Sequence, residues 1–220
     1  MSENRESERT GIVFVISGPS GSGKGTVVDL LRTLCPDMGL SVSATTREKR
    51  DYEQEGVNYY FKTREQFEKM IAGGELLEYA EYNGNLYGTP KSELERVTGE
   101  GRDLILVIEV KGAAQVKELL GKRAVCVMLI APSGEEQERR LRGRGSDTEE
   151  EIAARVRRAR EEIREAPRYD YVVVNETGKV QQCAETILGI MQSEHLRSDR
   201  MMSLIYLKYS FFGYKYFLKI

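Results

Sequence analysis

The sequence predicts an α/β fold: a doubly wound parallel sheet with helices on both faces. Three observations carry this. Five short apolar runs, at residues 12–17, 40–43, 104–108, 125–130 and 171–174, are continuous rather than alternating, as in strands covered on both sides. Helical patterns separate them. The first run leads directly into Gly18-Pro-Ser-Gly-Ser-Gly-Lys-Gly-Thr26, a glycine-rich turn that opens a helix.

Taken in order, Ile12 to Ile16 is the first strand, and Val27, Leu30, Leu31 and Leu34 form an apolar stripe on the helix behind it. After the strand at 40–43 the alternation stops. Tyr59-Tyr60-Phe61 and the stretch Leu76 to Tyr87 are aromatic and half-alternating around a short helix near Phe67 and Ile71, which predicts a small mixed α+β insertion. The strand at 104–108 resumes the core, and Val116, Leu119 and Leu120 mark the helix after it. Beyond the strand at 125–130 comes an arginine-dense stretch, Arg139-Arg140-Leu141-Arg142-Gly143-Arg144-Gly145, then the acidic first turn of a helix capped by Asp147 or Thr148. Ile152, Val156, Ala159 and Ile163 give that helix one stripe. The strand at 171–174 and the helical set Val180, Ala184, Ile187, Leu188 and Met191 close the core.

The expected organisation is therefore a core of 11–43, 96–134 and 156–195, an insertion at 44–95 and a small helical lid at 135–155. Residues 1–10 are polar and expected to fray. Residues 196–220 form an atypical hydrophobic extension. Lys208, Gly213, Lys215 and Lys219 interrupt it, so a spanning helix is not expected, and an extra strand, an extra helix and a membrane-touching tail stay open.

The formal net charge of −2 argues against a general nucleic-acid surface. Cys35, Cys126 and Cys183 lack metal-ligand spacing. Cys126 and Cys183 sit in apolar patterns and are expected as buried thiols, in keeping with a reducing cytoplasm. His195 is the only histidine; it falls beyond the expected core and is given no chemistry.

Four constellations carry chemistry. In Gly18, Pro19, Ser20, Gly21, Ser22, Gly23, Lys24, Gly25 and Thr26 the glycines allow successive N–H groups to face one anion. The helix behind adds its positive end, and Lys24 reaches the outer phosphates. Gly25 stands where many such loops place a magnesium-binding hydroxyl, so no direct protein ligand for the metal is expected. Next, Ser43 to Arg50 sets Arg47 and Arg50 beside hydroxyls as a phosphate clamp, because guanidinium forks grip phosphate oxygens in pairs. Third, the insertion offers Tyr59, Glu78, Tyr87 and Thr89. A carboxylate there accepts from N1–H and the 2-amino group of guanine, donors that adenine lacks, while Ser43 and Thr89 read O6 and N7. Fourth, the arginines from Arg139 to Arg155, hinged at Gly143 and Gly145, suit a cationic lid over a loose phosphoryl-transfer transition state. Arg157, Arg158 and Arg160 are read as a solvated face.

In these motifs and their order, from residue 11 to about 195, the chain resembles the guanylate kinase family. Gly56–Phe61, Ile108–Gly112, Arg140–Gly145 with Arg155, and Tyr171–Asn175 add to the match. The resemblance implies a P-loop NTPase-type core, a GMP-binding insertion and a lid. It implies transfer of the γ-phosphoryl of ATP, with Mg²⁺, to GMP or dGMP in purine nucleotide metabolism. By resemblance Lys24, Arg47, Arg144 and Arg155 are the catalytic group, and Arg140, Arg144 and Asn175 join the P-loop on the ATP side. Ser43, Arg47, Arg50, Tyr59, Glu78, Tyr87, Thr89 and Glu109 belong to the GMP side. The chain departs from relatives at Gly25, at Val107, where an acidic residue is common, and at Lys111, where glutamine is common. The loss of a carboxylate at 107 leads to an expectation of reduced activity rather than none. Two alternatives are a kinase for another nucleoside monophosphate, whose base site would not need Glu78 with Ser43 and Thr89, and a non-catalytic binding module of the same fold.

Overall fold

The computed structural model describes residues 11–82, 84–143, 145 and 147–202. The expected N-terminal fraying, Arg144 and the extension from 203 onward lie outside the described residues.

Two sheets form. The first holds β1 (Val13–Ser17), β2 (Gly39–Leu40), β7 (Leu104–Val107), β8 (Ala124–Ile130) and β9 (Tyr171–Val174), all parallel, in the order β2-β7-β1-β8-β9. The second holds β3 (Ala44–Thr45), β4 (Tyr60–Phe61), β5 (Leu76–Tyr82) and β6 (Asn85–Pro90), in the mixed order β4-β3-β6-β5. The helices are α1 (Lys24–Leu34), α2 (Arg64–Ala72), α3 (Lys91–Thr98), α4 (Val110–Leu120), α5 (Gly134–Arg142), α6 (Glu149–Ile163) and α7 (Val180–His195).

β1 is the centre of the parallel sheet and is buried along its whole length. Its side chains alternate between two cores. Phe14 and Ile16 join Val27 and Leu31 of α1 and Ile187 and Met191 of α7 on one face. Val13 and Val15 join Leu94 and Val97 of α3 and Ala113 and Val116 of α4 on the other. Continuous apolar runs follow from this two-sided burial. The parallel strands all end at one edge, and the turn after β1 opens there, as ligand sites do in open α/β sheets.

The expected strand at 40–43 is divided. β2 stops at Leu40, and the chain leaves the core sheet to enter the second sheet at Ala44. Where the chain departs, the buried Glu93 carboxylate of α3 holds it, accepting from Val42 N at 2.9 Å and from the Tyr60 hydroxyl of the second sheet at 3.0 Å. Ser41 N still donates to Ile105 O at 3.0 Å, and the pairing with β7 ends beyond it. Helix α3 was not expected, and α5 falls in the expected helical lid without having been delimited there. α5 buries only Gln137 and Leu141 under an arginine-rich surface, too thin a stripe to register as periodicity. Thr148, rather than Asp147, caps α6, in a capping box with Glu151.

Cys126 and Cys183 are buried as expected. His195 is not outside the core: as the last residue of α7 it meets Asp103 Oδ2 at 2.7 Å, while Asp103 Oδ1 accepts from Ile12 N. It ties the end of α7 to the start of β1. Among the described residues no helix is long and apolar enough to cross a membrane.

Leu106 is fully buried at the middle of the sheet. Leu106→Ala is expected to cost about 2–5 kcal/mol, read as a lower urea midpoint with an unchanged slope.

Candidate active site

A cleft of about 500 Å³ opens between the carboxyl edge of the parallel sheet and the second sheet. One wall is Pro19 to Thr26. The opposite wall carries Ser43, Tyr59, Glu78, Tyr82 and Tyr87, and Glu109, Arg155, Arg158 and Glu162 complete it.

The glycine-rich turn is held from behind. The buried Asn175 amide donates to Ser22 O at 2.9 Å, and the Gln137 amide donates to Ser20 O at 2.7 Å. With carbonyls tied on the far side, the turn keeps its shape and the first N–H groups of α1, which have no helical acceptor, open to the cleft. Gly23 is the residue before α1 and sits at φ 90°. A Cβ there would also collide with the Asn175 amide. Lys24 folds back, its ammonium donating to Gly18 O and lying 4.0 Å from Glu109 Oε1. Glu109 is the residue before α4 and its side chain is more than half exposed.

Arg47 sits behind Tyr59, outside the cleft lining, held by a partner that the sequence reading missed. Its Nη2 donates to Glu53 Oε1 at 2.6 Å, Nη1 donates to Glu48 O at 2.6 Å, and the guanidinium lies 5.5 Å from the Tyr59 ring centre. Glu53 is buried, and its second oxygen accepts from Arg50 N at 2.9 Å. The Arg47 hydrogen bond holds the Glu53 carboxyl below its usual range, with the Arg50 N–H adding to it. Tyr59 packs edge-on against Tyr87 and Phe61, and burial raises its phenol. Arg50 is exposed and bonds to the Tyr52 hydroxyl; it does not line the cleft.

Glu78 is the unusual group. It lines the cleft yet is only 6% exposed. Burial pushes its carboxyl up to about 7, against the Thr89 hydrogen bonds and with the Glu109 charge adding to the rise. Thr89 is fully buried, donates its hydroxyl to Glu78 Oε1 at 2.8 Å and does not line the cleft.

On the remaining side, Arg155 lines the cleft, donating to the Ser20 hydroxyl at 3.1 Å and lying 3.4 Å from Asp147. Arg140 lies outside the cleft lining, bonded to Glu136 and to Asn175 O. Asn175 likewise supports the turn rather than lining the cleft. Arg158, read from the sequence as solvated, instead lines the cleft and lies 5.7 Å from the Tyr82 ring centre. Glu162 lines it too, with its carboxyl raised by burial. Neither had a sequence signal beyond a charged helix. Val107 lines the cleft and Lys111 is exposed.

Among the described residues no cluster of three or more metal-ligating side chains exists. Beside Lys24 the carboxylates are Glu109, 4.0 Å away, and Glu162, with the Thr26 hydroxyl also in the lining. A hard cation carried on substrate phosphates, keeping most of its water, suits that sparse set.

Several known proteins resemble this chain. The profile of the guanylate kinase family matches residues 10–194. A guanylate kinase of Lactococcus lactis is 48% identical over 192 residues, 87% of this chain and 92% of the relative. One of Oceanobacillus iheyensis is 45% identical, over 87% of this chain and 91% of the relative. The crystal structure of guanylate kinase from Anaplasma phagocytophilum superposes with a TM-score of 0.71 at 34% identity, covering 90% of this chain and 95% of that one.

Gly23→Ala places a side chain in a left-handed conformation and against the Asn175 amide. A stability loss of about 1–3 kcal/mol is expected, measured by urea unfolding without ligand.

Proposed function

The chain belongs to the guanylate kinase family, and on that premise we propose how its residues divide the work of an ATP:GMP phosphotransferase. The observation that carries the reading is the buried Glu78 carboxyl, facing the phosphate-binding turn across a cleft of nucleotide size.

In this reading the parallel sheet and its helices form the core, 44–95 the acceptor-binding insertion and 135–155 the lid. ATP phosphates lie on Gly18 to Thr26, with Lys24 leaving Gly18 O for the β,γ-bridge. Arg155 leaves the Ser20 hydroxyl to meet the γ-phosphoryl, with Arg140 and Arg144 on the same side. Guanine N1–H and the 2-amino group donate to Glu78. Ser43 meets the base edge, and Thr89 acts through Glu78, to which its hydroxyl is already bonded. The GMP phosphate sits on Arg47, Tyr59 and Tyr87, with Arg50 turning in from the surface. Glu109 lies between the two sites, and Asn175 acts by holding the turn. Mg²⁺ carried in with ATP, beside Glu109 and the Thr26 hydroxyl, would supply neutralisation of phosphate charge.

A GMP phosphate oxygen attacks the γ-phosphorus, a new P–O bond forms, the bond from the γ-phosphorus to the β,γ-bridging oxygen breaks, and ADP leaves with that oxygen. No side chain becomes covalently attached. Positioning and charge stabilisation are the protein's contribution. dGMP is accepted in the same site, because the groups assigned to the acceptor read its base and phosphate.

Initial rates with Mg·ATP and each of GMP, AMP, UMP and CMP test the reading. Turnover with GMP above the others is expected; a preference for AMP, or no turnover with GMP, would overturn it. Lys24→Ala should lower kcat by about a hundredfold or more, as for loss of a transition-state stabiliser.

Glu78 also gives a pH signature. Its carboxyl titrates near 7 in the free protein, faced by the Thr89 hydroxyl and by Glu109, and only the ionised form accepts both guanine donors. GMP therefore binds with loss of a proton below that value. KM for GMP should rise as pH falls from 8 to 6 and stay level above it, and Glu78→Gln should have a higher KM whose pH dependence is reduced to that of the GMP phosphate, which itself takes up a proton at about pH 6. An equally steep profile in the variant would remove Glu78 from the base site.

A further inference from the structure

The side chain that reads the base does not stand alone. Glu78 lies on β5, an edge strand of the second sheet, and β5 packs along α4 of the core. Two residues of α4 meet it. Gly112, in the first turn of α4, leaves a notch that the Glu78 carboxyl fills. A Cβ at 112 would overlap Glu78 Oε2, with the carboxyl carbon 3.0 Å and Cγ 3.3 Å away. One turn on, Gln115 pairs with the next residue of β5 as a neighbouring strand would. Its Oε1 accepts from Tyr79 N at 3.2 Å, and its Nε2 donates to Tyr79 O at 3.0 Å.

The two contacts constrain different things. Gln115 sets the height of β5 along α4, because both backbone groups of Tyr79 are spent on one side-chain amide. Gly112 sets the direction of the Glu78 carboxyl. With Oε1 held by Thr89 and Oε2 in the notch, both oxygens are fixed before any base arrives. A carboxylate discriminates guanine from a base lacking the 2-amino group only if both oxygens meet their donors in register.

We propose that Gly112 and Gln115 of α4 are positioning residues for the base-reading carboxylate, and that they set the discrimination between guanine and hypoxanthine acceptors. The proposal rests on the assignment of Glu78 to the base site. A side chain at 112 drives the carboxyl out of its notch toward the cleft. One donor contact is then lost, so GMP suffers while IMP, which offers only N1–H, suffers less.

The test compares Gly112→Ala, Gln115→Ala and Glu78→Gln with the unaltered chain, using GMP, IMP and ATP as varied substrates. Both α4 variants should raise KM for GMP about tenfold and lower the GMP-to-IMP ratio of kcat/KM at least about fivefold. KM for ATP and kcat should stay within about threefold. Alanine has the higher helix propensity by about 1 kcal/mol, so Gly112→Ala has no helical reason to unfold. Gln115→Ala, which adds no atoms, is the second arm should Gly112→Ala fail to fold. An unchanged GMP-to-IMP ratio in the folded α4 variants, with Glu78→Gln impaired, overturns this proposal alone. If Glu78→Gln is also unimpaired toward GMP, the base-site assignment itself falls.

Discussion

The constraint on which the rest depends is the burial of β1 on both faces. A strand enclosed by α1 and α7 on one side and by α3 and α4 on the other has no freedom to shift. Its end is a fixed point, and the turn from Gly18 to Gly23 starts there. Asn175 after β9 and Gln137 on α5 then take carbonyls of that turn from behind. The turn is thus pre-formed by packing and by two amides, and in the proposed role as a phosphate cradle its backbone donors would need no reorganisation.

The second sheet, the proposed acceptor side, is built on a different principle. Its sheet is small, with strands as short as two residues, and its own core is a handful of side chains around Phe67. Buried carboxyls supply the order that a large core would otherwise give. Glu53 ties Arg47 to the backbone of Arg50, Glu93 ties the entry strand to α3, and Glu78 is held by Thr89 and α4. Each carboxyl accepts several donors, which offsets the cost of burying it. Glu78 is left with the least compensation and carries the raised titration, and it is the group assigned to meet a ligand with two donors. Incomplete satisfaction in the free protein fits a group reserved for a ligand.

The parts of the site legible in the sequence were those whose chemistry is local. The turn from Gly18 to Thr26 is contiguous, so its glycines, lysine and helix declared themselves together. Arg47, Tyr59, Tyr87 and Ser43 belong to compact motifs, and they gather on one wall of the second sheet, with Ser43, Tyr59 and Tyr87 lining the cleft. Glu53, Arg158 and Glu162 were invisible because a charged residue among charged neighbours has no pattern of its own. Burial or an aromatic partner distinguishes them, and both come from residues distant in the chain. Thr89, expected as a base reader, donates to Glu78, a pairing set by the antiparallel register of β5 and β6 that no local motif shows.

The sequence by itself determined the class of fold and the glycine-rich turn at the end of its first strand. Strands buried on both faces must be apolar throughout, and a tight anion-binding turn must carry glycine at set places. Those are demands on residue type, and residue type is what a sequence displays. Tertiary structure alone decided where the strand at 40–43 breaks, which arginines face the cleft, and how Glu78 is aimed by a helix more than thirty residues away. These depend on which carboxyl reaches which donor across the fold, and such contacts leave no periodicity along the chain.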